Sequence, residues 1–494
     1  MAAKLKQKSS FFYLPFYFLF TIFFNIQNSP QYNPPGYDRE VFRYLGRVLL
    51  EGGMPYRDGF DIKPPIVFYV SALGEALGGA FGNWIVFSFI TAFAAWYFFK
   101  RTRTINFWGA AFTSVSFVML STWPGFSEGG GLTRLISSAL VLILLSFTEG
   151  SRFKSRDYIL GILMGLIFWT QQNEILATAP FVIFFLYESK KPLDTFIKAL
   201  VGALATTFVI LSPFILTDTL NDLWKQTFLY TMKFHVQWEK QTYTQVVRGY
   251  LSHLADHHLL RCTCYALAST AFIFIINKKQ RPLALAAIVA VVLQGWATSL
   301  SARYFPHYFL SLIPYVSFLL SFPTAPSLKS HRGSFLKTAF GIFIFVAFMK
   351  KAPVATMQAK WKEYKNPPEK SLYLAGLPNV GSYLKQVEGQ KGQFIVLNNA
   401  EALALHTDYK ILAPNKWMVQ DFLETSPAFN ITYGEFSAVV LGMEKYKTRY
   451  VLDYTLSRPF RLQKNKQYLE SYLQKHYKLI LADADKKWRF LERK

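Results

Sequence analysis

Apolar runs long enough to cross a membrane recur through the first 350 positions, separated by short polar or basic connections. A hydrocarbon core of about 30 Å needs roughly 20 helical residues at about 1.5 Å each. The pattern predicts spans at 11–28, 84–99, 106–122, 132–148, 158–170, 175–187, 196–216, 262–277, 283–300, 306–322 and 336–350. That is a polytopic α-helical membrane protein with about 11 transmembrane helices. Beyond residue 350 the pattern changes. Phe394-Ile-Val-Leu397 and Ala438-Val-Val-Leu441 read as short buried strands, and 464–475 as an amphipathic helix. Residues 351–494 are therefore expected to form a small α/β domain, behind a membrane domain over 1–350 with outer loops at 29–83, 123–131 and 217–261.

Composition agrees, with 52% hydrophobic and only 17% charged residues against about a quarter charged in soluble domains. The formal net charge of +24 would suggest nucleic acid in a soluble protein. Here the basic residues occupy alternate connections instead: Lys4, Lys6 and Lys8; Lys100, Arg101 and Arg103; Arg152, Lys154 and Arg156; Lys190 and Lys191; Lys278, Lys279 and Arg281; Lys329, Arg332 and Lys337. This is the positive-inside pattern. It places the N-terminus in the cytoplasm and, after an odd number of spans, the C-terminal domain outside. No nucleic-acid partner is expected. The basic, apolar N-terminus reads as an uncleaved first helix. The C-terminal 144 residues hold 23 basic and 14 acidic side chains, a charge near +9, which suits an anionic membrane surface. Cys262 and Cys264 match no metal spacing, and a disulfide two residues apart would be strained.

The chemistry concentrates in the first outer loop. Residues 39–50 place Val41, Tyr44, Leu45, Val48 and Leu49 on one helical stripe with Arg39, Arg43 and Arg47 off it, as in a helix lying in the interface plane. Gly52 and Gly53 end it, and Pro64-Pro65 opens another apolar segment. Asp38, Arg57, Asp58, Asp61 and Lys63 then sit on turns at headgroup level. The bland alternatives are a helix cap at Asp38, turn residues at Asp58 and Asp61, and a snorkelling Lys63.

An Asp opening an amphipathic helix, a Gly-x-Pro-Tyr-Arg-Asp turn and Asp-x-Lys-Pro-Pro together resemble the first outer loop of GT-C glycosyltransferases. The resemblance is to glycosyltransferase family 39, which includes protein O-mannosyltransferases and the lipid A aminoarabinose transferase. It covers residues 36–70 strongly and the membrane body loosely; Asp38-Arg39-Glu40 departs from the usual Asp-Glu pair. It implies transfer of a sugar from a polyprenyl-phosphate donor to a lipid, glycan or protein acceptor on the outer face of a bacterial cytoplasmic membrane. Asp38 would be the general base, a role that contributes about 10²- to 10⁴-fold. Lys63, with Arg57, Arg303 and His307, would hold the donor phosphate, where fixed cations stabilise developing charge.

Glu128, among the glycines of 123–131, and Asp61 are the second acidic candidates, for acceptor or metal. No cofactor is certain. A divalent ion would find Asp38 and Glu128 as its natural ligands. Ser301–Tyr308 puts Arg303 and His307 at a span mouth, and Glu174 lies at another outer turn; ionisable residues at such boundaries are site candidates. His253 and His257, near His258 and Asp256, are an i, i+4 pair that could share a helix face, but no third ligand is indicated for a zinc site. A flippase or transporter should carry repeats and charges inside broken spans, and this chain concentrates its charges on loops. An O-antigen polymerase or ligase is the other alternative, and the spacing from Asp38 to Lys63-Pro64-Pro65 speaks against it.

Overall fold

The computed structural model describes residues 13–33, 36–105, 107–148, 155–235, 242–256, 259–276, 278–299, 304–321, 379–416, 418, 433–457, 463–483, 485 and 487–494. The expected span 336–350 and the basic clusters at 4–8, 152–154 and 329–337 lie outside them.

The elements run α1 (Tyr13–Asn25), α2 (Tyr37–Leu50), α3 (Ile66–Thr102), α4 (Phe107–Ser121), α5 (Pro124–Ser127), α6 (Thr133–Leu145), α7 (Arg156–Thr170) and α8 (Glu174–Tyr187). They continue with α9 (Pro192–Leu216), α10 (Leu220–Trp224), a π-helical stretch (Lys225–His235), α11 (Tyr243–Asp256), α12 (Leu259–Ile276), α13 (Arg281–Ser299), a 3-10 segment (Pro306–Leu312) and α14 (Ile313–Ser321). The last part holds α15 (Val380–Lys385), β1 (Phe394–Leu397), α16 (Leu403–Asp408), α17 (Tyr433–Lys445), β2 (Tyr450–Asp453), α18 (Gln463–His476), β3 (Tyr477–Ala482) and β4 (Arg489–Arg493).

Among the described residues three helices, α3, α9 and α13, are long and apolar enough to cross a bilayer, and shorter apolar helices include α4, α6 and α8. On α1 and α9 large apolar side chains such as Phe16, Leu19, Leu204, Phe208 and Val209 stand exposed, as they do where lipid is the solvent. The chain is a multi-pass membrane protein. α3 is longer than the span expected within it, starting straight after Pro65, and non-helical dihedrals at Gly78 and Gly79 break it.

The chain divides into two compact units. The first comprises Met1–Tyr32, Trp84–Ser212 and Val236–Asn366, and is the helical membrane body. Within it α8 packs along α13, α4 along α14, and α6 along α7. Gly161 and Gly165 on α7 meet α9 so closely that a Cβ on Gly161 would lie 1.8 Å from the Ala199 carbonyl oxygen. Gly202 returns the contact, its Cβ position lying 2.3 Å from the Tyr158 oxygen. Backbone-to-backbone packing of this kind is how small residues join helices where no water drives association.

The second unit comprises Asn33–Asn83, Pro213–His235 and Pro367–Lys494. Its centre is a four-stranded sheet in the order β1-β2-β4-β3, with β1 and β2 parallel and the other pairs antiparallel. Side chains alternate across it. Phe394, Val396, Tyr450 and Leu452 pack against α15 and α16, whereas Ile395, Leu397 and Val451 pack against α17 and α18. The second core also takes Phe60 and Ile62 from the first loop and Tyr230 from the π-helical stretch. The expected strand at 394–397 and the helix at 464–475 are present. The expected strand at 438–441 is instead the middle of α17. Val439, Val440 and Met443 are buried there while Leu441 is 63% exposed, a helical spacing that a four-residue apolar run cannot reveal alone.

Candidate functional site

Helix α2 begins one turn earlier than its apolar stripe. Gly36, in an extended conformation, is the N-cap, and its carbonyl accepts the Glu40 N–H at 3.1 Å. Asp38 thus lies inside the first turn rather than capping it, and there its charge faces the positive end of the helix dipole. The face expected to meet water is buried as well: Arg39, Glu40 and Arg43 are all under a tenth exposed. Charges tolerate such burial only when paired. Arg39 Nε donates to Glu40 at 2.8 Å, and Arg43 donates to Glu40 at 2.6 Å, to Glu75 at 2.6 Å and to Asp408 at 3.1 Å.

After α2 the chain turns at Gly52, with φ of 76°, and at Tyr56, a non-glycine residue held at φ of 72°. The Tyr56 ring is fully buried, its hydroxyl donates to the Lys63 carbonyl at 2.6 Å, and its carbonyl accepts from Gln226 at 2.6 Å. Both ends of the 56–63 turn are fixed in this way. Asp58 accepts from the Met54 N–H at 2.8 Å and from Arg57 at 2.8 Å. Burial pushes the Asp58 carboxyl up, but Arg57 and the Met54 N–H outweigh it and hold it below its ordinary value. Arg57 is half exposed, with Nε and Nη2 on Asp58.

Asp61 is 4% exposed, accepts the Lys63 N–H at 2.7 Å, and donates its own N–H to Gln226 at 3.3 Å. Burial pushes its carboxyl up to about 7. The Lys63 ammonium and nearby N–H groups oppose that shift, and the Asp38 charge adds to it. Asp38, Asp61 and Lys63 therefore share one electrostatic neighbourhood, in which the Asp61 carboxyl titrates near neutrality.

The membrane body holds a second group. Glu128 adopts φ of 43° and is followed by Gly129, Gly130 and Gly131, all with positive φ. Its Oε2 lies 2.8 Å from His307 Nδ1 in the 3-10 segment. α6 starts just beyond this loop. There Arg134 Nη1 reaches the Ser311 hydroxyl at 3.0 Å and the Tyr308 carbonyl at 3.4 Å, and its guanidinium stacks 4.2 Å from the Tyr308 ring. Glu174, fully buried, lies 3.6 Å from Arg134. Glu128 and His307, predicted separately, are thus partners.

Arg303, His257 and His258 lie outside the described residues. His253 lies on α11, stacked on Tyr304, and both cysteines are free thiols. Among the described residues no group of three or more His, Cys, Asp or Glu gathers as a metal ion would need. The Arg43 network and Arg134 are missing from the sequence reading. Glu75 inside an apolar helix and Arg134 at the start of another are the signals that point to them; Gln226 and Asp408 leave none.

Among solved structures, ArnT from Cupriavidus metallidurans bound to undecaprenyl phosphate matches with a TM-score of 0.59 and 11% identity, over 97% of each chain. The chain has an ArnT-like fold. The apo state of the same ArnT matches at 0.53 with 12% identity over 95% of each chain. The archaeal oligosaccharyltransferase AglB from Archaeoglobus fulgidus, in complex with an inhibitory peptide and a dolichol-phosphate, gives 0.48 and 12% over 92% of this chain and 70% of that one. No protein-family model and no curated protein sequence matches the chain.

Proposed function

We propose that the protein is an inverting glycosyltransferase that moves a sugar from a polyprenyl-phosphate carrier to a lipid, glycan or protein acceptor. The reaction takes place at the outer face of a bacterial cytoplasmic membrane, with the N-terminus inside and residues 351–494 outside. The observation that carries the reading is the Asp38–Asp61–Lys63 neighbourhood, in a chain whose fold is that of a protein solved with undecaprenyl phosphate.

Asp38 takes the proton of the acceptor hydroxyl or amine as that group attacks the anomeric carbon from the face opposite the phosphate. The C–O bond to phosphate breaks, and the electron pair leaves on the phosphate oxygen. Lys63 meets that developing charge, worth most where water is excluded. Arg57, on the same loop, is assigned to the same phosphate. Asp61, close to its titration point at neutral pH, holds Lys63 by its main chain and tempers its charge.

The test is Asp38→Asn in proteoliposomes carrying undecaprenyl-phosphate sugars and a panel of acceptors. An inactive but folded variant, with transfer by the wild type, supports the reading. Wild-type turnover in the variant removes Asp38 as base. If the wild type transports a lipid-linked sugar without transferring it, the assignment as a glycosyltransferase falls.

A further inference from the structure

We infer that Arg43 is a positioning residue for Asp38, and that Asp408 extends this control of the general base to the C-terminal segment. The inference rests on the assignment of Asp38 above. Arg43 lies on the same helix, five residues on, and three of its nitrogens are engaged by carboxylates from three different elements. Nη1 bonds Glu40 within α2, Nε bonds Glu75 in α3, and Nη2 bonds Asp408 at the end of α16. A planar guanidinium fastened at three nitrogens has no rotation left to it. Glu40 is two residues from Asp38 and is gripped by both Arg39 and Arg43, so the network holds the very turn that presents the base.

The other contacts of α2 limit its remaining movements. The Tyr44 hydroxyl accepts the Ala413 N–H at 2.9 Å, and Gly46 approaches α3 so closely that a Cβ would lie 2.6 Å from the Ala72 nitrogen. Asn83 donates to Glu75 at 2.8 Å, which fixes the carboxylate from behind. Stability alone does not call for this arrangement. Six charges are committed: Arg39, Arg43 and Arg47 against Glu40, Glu75 and Asp408. Well-packed apolar side chains of similar volume commonly stabilise as much as a buried ion network does. What apolar packing does not supply is a fixed direction, and a general base needs one, since a misplacement of about 1 Å can cost on the order of 100-fold in rate.

Asp408 is the variable member. Its side chain is 46% exposed, so substitution there leaves the core intact. Burial raises its carboxyl above the ordinary value, Arg43 lowers it, Glu40 raises it again and Arg39 lowers it; Tyr409 is its chain neighbour. As pH falls from neutral, Asp408 is therefore neutralised earlier than an ordinary aspartate and releases one of the three holds on Arg43.

The experiment uses the full-length protein in proteoliposomes with undecaprenyl-phosphate sugar, and compares wild type, Asp408→Asn, Arg43→Lys and Asp38→Asn. Asp408→Asn should lower kcat about tenfold, the equivalent of one charge-assisted hydrogen bond. Its donor KM should stay within about twofold, because ground-state binding is untouched. The acidic limb of its pH profile should lose a step that the wild type shows, and amide exchange over residues 37–46 should quicken. Arg43→Lys, which keeps the charge but not the fork, should do the same more strongly. Wild-type rate and pH profile in Asp408→Asn overturn the inference, as does a lost rate with unchanged α2 exchange. Retained activity in Asp38→Asn removes the base itself and is read separately.

Discussion

The loop site and the membrane-body pair each hold a carboxylate near a basic side chain, by different structural means. In the second unit Asp38 stands on a fourteen-residue helix whose polar face is buried and cross-braced by paired charges. In the membrane body Glu128 stands on a loop of left-handed residues, its side chain 38% exposed, and touches His307 as one partner. Left-handed backbone at a non-glycine residue costs roughly 1–3 kcal/mol and persists only when the surroundings impose it. Here Phe126 and Ser127, both fully buried, supply that imposition: the Ser127 hydroxyl bonds Asn28 at 2.8 Å. One region spends its contacts on holding a direction. The other holds a strained loop at its root and leaves the tip open, an arrangement suited to meeting a substrate rather than performing the chemistry.

If the comparison is right, the largest loss belongs to Asp38. Asp38→Asn should cost about 10²- to 10⁴-fold in kcat, while Glu128→Gln, which acts through His307, should cost far less. Equal losses, measured in steady state under matched donor, would erase the distinction. Next comes Lys63. Lys63→Ala should weaken donor use by about 10- to 100-fold, as for one charge-assisted bond to phosphate, and Lys63→Arg should recover little of it. Varied donor at fixed acceptor would show this.

For the pair itself, Glu128→Gln and His307→Asn should be non-additive by about 0.5–3 kcal/mol in a kinetic double-mutant cycle. Strict additivity would mean that the 2.8 Å contact carries no function.

The smallest effect is on stability and concerns Asp61. Its carboxyl titrates near 7 when folded and at the ordinary carboxylate value when unfolded. Between those values the folded state binds more protons, so stability is lost as pH rises through the window from about 4 to about 7. Asp61→Asn removes that slope. Its thermal midpoint should exceed that of the wild type at pH 8 and match it at pH 4.

How much of this was legible in the sequence differs between the two regions for a physical reason. Asp38, Asp61 and Lys63 lie within one loop, so turn residues and a short helix bring them together and the pattern of the loop announces them. Helix α2, β1 and α18 were readable from periodicity for the same local reason. The Glu128–His307 contact spans 179 positions, and Arg43–Asp408 spans 365. Nothing in a local pattern specifies either, because an ion pair leaves no period behind it. The same limit explains the misplaced polar face of α2. Three arginines on one stripe look like a solvated surface until the carboxylates that cover them arrive from elsewhere in the chain. At 438–441 the limit is different: four apolar residues suit a strand and a helix equally, and the neighbouring sheet decided.

The seam between α7 and α9 bears on how this protein associates with others. Gly161-Ile-Leu-Met-Gly165 has the spacing by which lone transmembrane helices dimerise, yet here both glycines already face Ala199, Ala203 and Thr206 of the same chain. A peptide covering residues 156–170 should self-associate in micelles, whereas in the intact protein α9 already occupies this face. Replacing Gly161 with alanine would therefore be felt as a folding defect rather than as a change in oligomeric state, and a screen for dimer-breaking substitutions would misreport this position.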